Sequence, residues 1–219
     1  MTQTTTQGTI AETVTETAAE SRRRAGITFV ALSAQFMTVI MLAAAMAPNY
    51  DFGGGAISDL GVIPETALLF NTSLVLVGVL NVVGGYYFYR SHGARWILAT
   101  FLLAGLGAVV AGVFPLDAGG LHSLGALFAF LFFNVQALAS ATRLSGAMRA
   151  MAVLAGVLGL VFVGLMVVGD AGNAAAFGPF GHGGTERMIV YPVMLWLVAF
   201  GGYLLGTPAE EGVGRRPAQ

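Results

Sequence analysis

Six apolar stretches of about 20 residues follow one another along the chain, separated by short polar segments. A helix rises about 1.5 Å per residue, so each stretch is long enough to cross a hydrocarbon core of about 30 Å. Backbone polar groups find no water in lipid, which makes each crossing segment a helix. The pattern predicts an all-α fold, a polytopic transmembrane bundle whose six helices run approximately over residues 25–47, 66–89, 94–114, 121–141, 148–169 and 188–205.

Composition favours this interpretation over a soluble helical protein with a large core. Hydrophobic residues make up 56% of the chain and charged residues 10%, against about 25% charged residues in a typical soluble domain. The net charge of −1 provides no basic surface, so nucleic acid is not a predicted partner. The apolar spans make membrane lipids the predicted partners. The chain has no cysteine, which excludes disulfides, thiolate metal sites and a cysteine nucleophile.

The first apolar stretch has two interpretations. Arginines at positions 22–24 precede it and Ala45-Met46-Ala47 resembles a cleavage site, as in a secretory signal. However, the stretch is longer than the apolar region of about 7–15 residues that signals use. We expect a retained first helix.

The arginines predict which way the bundle faces. Nine of the ten basic residues lie before span 1, between spans 2 and 3, between spans 4 and 5, or in the C-terminal tail. The opposite helix ends carry one cation, Arg187, and the acids Asp51, Asp59, Glu65, Asp117, Asp170 and Glu186. Cytoplasmic loops are enriched in Arg and Lys. We therefore predict a multi-pass protein of the cell (plasma) membrane with both termini cytoplasmic and the acidic loops outside.

Three regions are expected along the chain. Residues 1–21 are rich in Thr, Ala and Glu and predict a disordered or weakly helical cytoplasmic tail. Residues 22–206 form the six-span membrane domain, and residues 207–219 a second cytoplasmic tail. The outer loops, near 48–65 and 170–187, are longer than the inner ones, which places any specialised surface outside.

Polar residues at the outer helix ends form a candidate ligand-binding cluster: Ser58, Asp59, Asn71, Asp117, His122 and Glu186. Ser58 and Asp59 either cap a short helix and solvate the loop or belong to a polar site. Asp117 either caps span 4 or shares a site with His122, since an ionisable group near a bilayer boundary tends to face a partner inside the bundle.

The remaining polar residues leave further alternatives. Glu186 and Arg187 either face inward and complete the cluster or lie at the lipid headgroups. His182 is expected to be solvated in a mobile glycine-rich loop. Amides within the spans are expected to bond neighbouring helices, and small residues four apart are expected to pack helices inside the bundle. The amides are Gln35, Asn71, Asn81, Asn134 and Gln136, and the small residues are Ala104, Ala108, Gly112, Ala152 and Gly156.

No sequence motif identifies an enzyme. HExxH, P-loop and GxSxG patterns are missing, so we predict no metal and no cofactor, and the catalytic residues stay unknown. Three carboxylates and an imidazole at similar depth suit a cation or a lipid headgroup. A nucleophilic arrangement of Ser58, His122 and an aspartate lacks diagnostic spacing.

Short motifs resemble a known family. Ile57-Ser58-Asp59-Leu60-Gly61, Leu69-Phe70-Asn71 and the set Phe114, Pro115, Asp117 and His122 resemble the domain-of-unknown-function 998 family of six-helix membrane proteins. The resemblance implies the six-span fold and an outward polar cluster, and it implies no activity. The chain also has a distant similarity to seven-span membrane hydrolases of the alkaline-ceramidase and adiponectin-receptor type. Those hydrolases hold zinc with three histidines, and in this chain only His122 is suitably placed for that role.

The leading hypothesis is a multi-pass membrane protein with an outward polar pocket for a lipid headgroup or a small solute. The alternatives are a metal-dependent membrane lipid hydrolase and a small-solute transporter. The transporter is less favoured because spans 2 to 5 contain no proline that would break a helix. Whether the protein is an enzyme, and its oligomeric state, stay open.

Overall fold

The computed structural model describes residues 2–206, with side chains from Thr17 onward. This part of the chain is all-α and contains no strand. Its six helices are all long and apolar enough to cross a membrane. They are α1 (Thr2–Met46), α2 (Ala67–His92), α3 (Arg95–Val113), α4 (Gly120–Ala141), α5 (Gly146–Asp170) and α6 (Gly181–Gly206). Short 3-10 helices lie at Ser58–Gly61, Leu116–Ala118 and Ala174–Phe180.

The helices form a closed ring in chain order. Each helix packs against the next, and α1 closes the ring against α6. The α1–α2 loop (residues 47–66), the α3–α4 loop (114–119) and the α5–α6 loop (171–180) therefore lie at one end, which we call the acidic end. The α2–α3 and α4–α5 turns and the arginines at the start of the first span lie at the other, the arginine end.

Aromatic side chains fill the half of the ring nearer the arginine end. The ring of Phe29 on α1 stacks at 5.3 Å on Phe101 of α3 and at 5.5 Å on Phe200 of α6. Phe88 of α2 contacts Phe200 edge-on at 5.2 Å. These rings join four helices, and each buries a large apolar area. Apolar side chains such as Leu68 and Leu154 are exposed on the outside of the ring, where a bilayer would cover them.

Buried amides link the helices, as their sequence positions predict. Asn81 donates to Gln136 at 3.0 Å and Gln136 donates back to Asn81 at 3.1 Å. Ser73 donates to Gln35 at 2.8 Å, which joins α2 to α1. Such bonds between membrane helices contribute about 0.6 kcal/mol each.

The predicted small-residue faces lie inside the bundle. Ala104, Ala108 and Ala152 are fully buried. A Cβ at Gly156 would lie 2.8 Å from the backbone oxygen of Asn134, too close for any side chain. These positions let helices of one chain approach closely, which is the packing role expected of them.

The structure differs from the expected boundaries at both ends. The first helix begins at Thr2, so helix extends through residues predicted to form a disordered or weakly helical tail. The last helix begins at Gly181, seven residues before the expected position 188. Carbonyl groups from a distant loop cap this early turn, and local sequence does not reveal them. The predicted C-terminal tail, residues 207–219, lies outside the described residues, and the division of the chain into regions stays a prediction.

Candidate functional site

The α1–α2 loop folds back on itself at the acidic end. The Asp51 carboxylate accepts hydrogen bonds from the backbone N–H groups of Gly53 and Gly54, both at 2.9 Å. The Gly55 N–H donates to the Asp51 carbonyl at 2.7 Å. An aspartate that binds the backbone two and three residues ahead stabilises a tight turn. Asp51 therefore shapes the loop.

This loop docks on the first turn of α6. The N–H groups of Gly183 and Gly184 donate to the carbonyls of Gly54 at 3.1 Å and Gly53 at 3.2 Å. The first N–H groups of a helix have no acceptor within the helix, and here the carbonyl groups of the loop accept their hydrogen bonds. A Cβ at Gly183 would collide with the Gly55 carbonyl, so the close approach requires glycine.

Arg187 of α6 holds the α1–α2 loop in place. Its side chain is buried, and Nη1 donates to the carbonyls of Gly55 at 2.9 Å and Gly183 at 2.8 Å. Nη2 donates to the Tyr50 hydroxyl at 2.7 Å, and the guanidinium lies 4.2 Å from the centre of the Phe52 ring. Hydrogen bonds and a cation–π contact thus compensate the buried charge.

Tyr50 connects Arg187 to the backbone of the α1–α2 loop. Its hydroxyl donates to the Ala56 carbonyl at 2.7 Å. Burial raises the pKa of the Tyr50 phenol above its usual range, and the hydrogen bond from Arg187 opposes that shift. Tyr50 is therefore a neutral donor at physiological pH.

Glu186 lies beside Arg187 and faces the next part of the loop. Its side chain is 4% exposed, and Oε2 accepts a hydrogen bond from the Ile57 N–H at 2.6 Å. Ile57 immediately precedes the 3-10 helix Ser58–Gly61, so the carboxylate satisfies a free N–H group at its start. Of the two expected orientations, Glu186 and Arg187 adopt the inward one.

His122 lies in the first turn of α4 and is 4% exposed. Its Nδ1 lies 2.9 Å from the Phe114 carbonyl and 3.2 Å from the Ala111 carbonyl. Both belong to the end of α3, where carbonyls lack partners within the helix. One role of His122 is therefore to join the end of α3 to the start of α4.

A cavity of about 50 Å³ lies inside the ring below the α1–α2 loop. Ser58, His122 and Glu186 line it together with the amide of Asn134. The rest of its wall is apolar and includes Phe36, Phe70, Phe130, Phe133, Val193 and Met194. A water needs roughly 10–15 Å³ of this space, so the cavity has room for about three to five heavy atoms.

The family described as "Protein of unknown function (DUF998)" matches residues 30–203, which include most or all of each of the six spans. The chain belongs to the DUF998 family. No curated protein and no solved structure matches it. Family membership and six apolar helices make this DUF998 chain a multi-pass membrane protein that associates with membrane lipids. The description of the family assigns no activity, so any function is argued from the geometry.

The DUF998 structure brings three of the six candidate residues to the cavity wall: Ser58, His122 and Glu186. Two others stabilise the loop. The Asp59 carboxylate accepts from the Ala56 N–H at 2.8 Å, and Asn71 donates to the Gly61 carbonyl at 2.8 Å.

Asp117, the sixth candidate, is exposed in the 3-10 helix Leu116–Ala118 and does not line the cavity. Backbone carbonyls of α3, and not Asp117, are the partners of His122. His182, expected to be solvated in a mobile loop, lies in the first turn of α6 with Nε2 3.2 Å from Asp170 Oδ1. In the part of the chain with described side chains, no three His, Asp or Glu residues lie close enough to hold a metal.

Sequence reasoning missed the contact between Arg187 and the loop of this DUF998 protein. Arg187 and Tyr50 are 137 positions apart and share a 2.7 Å hydrogen bond. One signal was available: Arg187 is the one cation among the acids of the outer helix ends. A lone cation at the membrane boundary needs a partner inside the protein.

Proposed function

We propose that this DUF998 protein binds the polar end group of a lipid headgroup or of a small solute in the cavity at the acidic end. One observation supports the proposal most directly. Ser58, His122 and Glu186 come from a loop and two different helices, and all three residues line one cavity whose surface is almost entirely apolar. Binding sites typically combine an apolar wall with a few convergent polar groups.

The size of the cavity limits what enters it. Room for about three to five heavy atoms admits the end of a headgroup or a small solute and excludes a whole lipid. The acyl chains of a lipid ligand would therefore stay in the bilayer beside the helices.

The α1–α2 loop controls access in this proposal. It contributes Ile57 and Ser58 to the cavity wall, and the bonds from Arg187 and Glu186 hold it in place. With the arginine end in the cytoplasm, as the positive-inside rule predicts, the loop faces the outside of the plasma membrane. The ligand then enters from the outer leaflet or from the external medium.

Filling the cavity tests the proposal. Ala126 lines the cavity from α4, and Ala126→Leu would occupy about the volume of the end group. Ala150→Leu, an exposed position on α5, is the matched control. We expect native mass spectrometry of protein released from nanodiscs of cellular lipids to show a bound molecule with the wild type and with Ala150→Leu. Ala126→Leu should lose it, and equal retention by all three proteins would contradict the proposal.

A metal-dependent lipid hydrolase and a small-solute transporter stay as alternative hypotheses without an observation of their own. Elemental analysis of the purified protein addresses the first alternative. A stoichiometric metal would favour the hydrolase over the binding proposal.

A further inference from the structure

A second site lies at the arginine end of the bundle. An open groove of about 860 Å³ runs between α1 and the ends of α2 and α6, and Arg22, Arg23, Arg24 and Arg90 line it. We propose that this arginine groove binds the phosphate group of an anionic membrane lipid. The proposal is independent of the proposed function, because the groove and the cavity at the acidic end share no described residue.

The arginine groove is positively charged and polar. Among the described residues of its wall, four arginines face a single acid, Glu20. Polar atoms form almost half of its surface, whereas the surface of the cavity at the acidic end is almost entirely apolar. An anion in the groove would therefore lie among more positive than negative charges, as phosphate binding requires.

Two tyrosines at the end of α2 place two of the guanidinium groups. Arg90 Nη1 donates to the Tyr86 hydroxyl at 3.2 Å. The Arg24 guanidinium carbon lies 5.6 Å from the centre of the Tyr87 ring, and Arg24 Nε donates to Glu20 at 2.8 Å. Both tyrosines line the groove, so these contacts place the two guanidinium groups beside it. A guanidinium has five N–H groups, which leaves each arginine further donors for an anion.

Arg22 is the buried arginine of the groove. It is only 8% exposed, and it has no hydrogen bond or ion pair with another described residue. Its guanidinium lies close enough to His92 for its charge to act on that ring, which directs it from α1 towards the end of α2. A buried cation without a counter-ion is unfavourable. A phosphate that accepts its N–H groups would remove that cost.

The surroundings of the groove favour a lipid over a soluble anion. Leu205 and Tyr86 line the groove beside the arginines, and each is 45% exposed. Tyrosines at a membrane boundary lie at the level of the headgroups, and an exposed leucine there contacts acyl chains. Basic pockets between membrane helices bind the headgroups of anionic lipids. The volume of the groove also matches sites for ligands much larger than an inorganic phosphate.

Two lipids with the same acyl chains test the proposal. Phosphatidylglycerol and phosphatidylcholine both carry a phosphate, but the choline cation makes the second headgroup neutral and would be repelled by the arginines. In nanodiscs of an equimolar mixture, native mass spectrometry of the released protein should show phosphatidylglycerol enriched by at least about tenfold, as expected when two or more arginines contact the headgroup. Equal retention of the two lipids would overturn the proposal.

A matched pair of variants assigns the preference to the groove. Arg22→Gln removes the buried guanidinium, whereas Arg149→Gln removes an exposed arginine of α5 at the same end but outside the groove. Each variant loses one positive charge. The enrichment should fall by about fivefold or more with Arg22→Gln and change far less with Arg149→Gln. Equal falls would assign the preference to the charge of the whole end and would overturn the site.

Arg90→Gln provides a second variant if Arg22→Gln does not fold. Arg90 is exposed, so its replacement should change stability little. It should nevertheless lower the enrichment by a similar factor, because it removes donors from the wall of the groove. Folded Arg90→Gln protein with the full enrichment of the wild type would overturn the proposal.

Soluble anions separate a lipid from a free phosphate compound. Inorganic phosphate and glycerol phosphate are added to protein in nanodiscs of phosphatidylcholine alone, and thermal unfolding is measured. A thermal shift without any enrichment of phosphatidylglycerol would assign the groove to a soluble phosphate and overturn the lipid. Enrichment supports the lipid with or without such a shift. Ala126→Leu fills the cavity at the acidic end and should keep the enrichment, which separates the two sites.

Discussion

The two ends of the bundle use charged residues differently. At the arginine end, Arg24 pairs with Glu20 at 2.8 Å, with both side chains about half exposed at 53% and 47%. At the acidic end, Arg187 and Glu186 are buried and bind the backbone of a loop more than 120 positions away. Exposed pairs contribute about 0.2–1 kcal/mol, whereas removal of a buried, hydrogen-bonded charge costs several times more.

This difference separates two tasks. Exposed arginines beside short turns can orient the bundle in the membrane. Membrane topology depends on how many arginines lie on each side of the membrane and depends little on their contacts. Arg187 and Glu186, buried at the acidic end, bind the backbone of the α1–α2 loop and hold it in place. The same substitution should therefore change the free energy of unfolding by different amounts at the two ends.

The largest effect is expected for Arg187. Arg187→Gln removes hydrogen bonds to Gly55 and Tyr50 and the contact with Phe52, so we expect a loss of about 3 kcal/mol in the free energy of unfolding. Arg24→Gln, the control at the arginine end, should change stability far less, because its pair with Glu20 is exposed to solvent and screened. Thermal unfolding in nanodiscs measures both, and equal losses would remove the distinction between the ends.

Gly183 tests the docking of the loop on α6. Gly183→Ala places a methyl group against the Gly55 carbonyl and should cost about 1–3 kcal/mol and expose the loop to protease. A Cβ at Gly202, also on α6, meets nothing within 4 Å. Gly202→Ala should therefore be neutral or slightly stabilising. A Gly183→Ala protein with wild-type stability and protease resistance would show that the loop does not need this approach.

Two aspartates of the acidic end should differ. Asp59→Asn weakens the bond to the Ala56 N–H and should cost about 1 kcal/mol. Asp117→Asn changes an exposed side chain and should leave stability within about 0.5 kcal/mol of the wild type. Unfolding midpoints of both variants check this, and a larger loss for Asp117→Asn would require a contact that the fold does not contain.

The smallest effect is a pH dependence from Tyr50. Its pKa is raised in the folded protein by burial, so the folded state holds this proton more tightly than the unfolded state. The corresponding stability is present below the unfolded pKa of about 10 and is lost as pH rises through the folded pKa. Thermal unfolding across this window should show a steeper decline for the wild type than for Tyr50→Phe, and identical slopes would contradict the assignment.

The sequence predicted the helices well because lipid imposes a simple rule. Each span is a long apolar stretch, and all six coincide with helices of the structure. The buried amides Asn81 and Gln136 were also predictable, since a polar side chain within lipid needs a partner in the bundle.

The arrangement of the site was less predictable because it depends on contacts between distant segments. Gly181–Gly184 looked like a flexible loop, and carbonyls of Gly53 and Gly54 convert it into the first turn of a helix. Asp117 was grouped with His122 by proximity in the sequence, yet α3 supplies the partners of that histidine through its free carbonyls. A sequence pattern indicates which polar groups need partners, but it does not identify those partners.

The most direct test of the account is the side of the membrane that the acidic end faces, because the proposed ligand reaches the cavity only from there. The chain has no cysteine, so single cysteines report cleanly. Gly120→Cys lies at the acidic end and Ala147→Cys at the arginine end, and both positions are exposed. An impermeant maleimide applied to intact cells should label position 120 and leave position 147 unlabelled until the cells are permeabilised. Labelling of position 147 alone in intact cells would contradict the account.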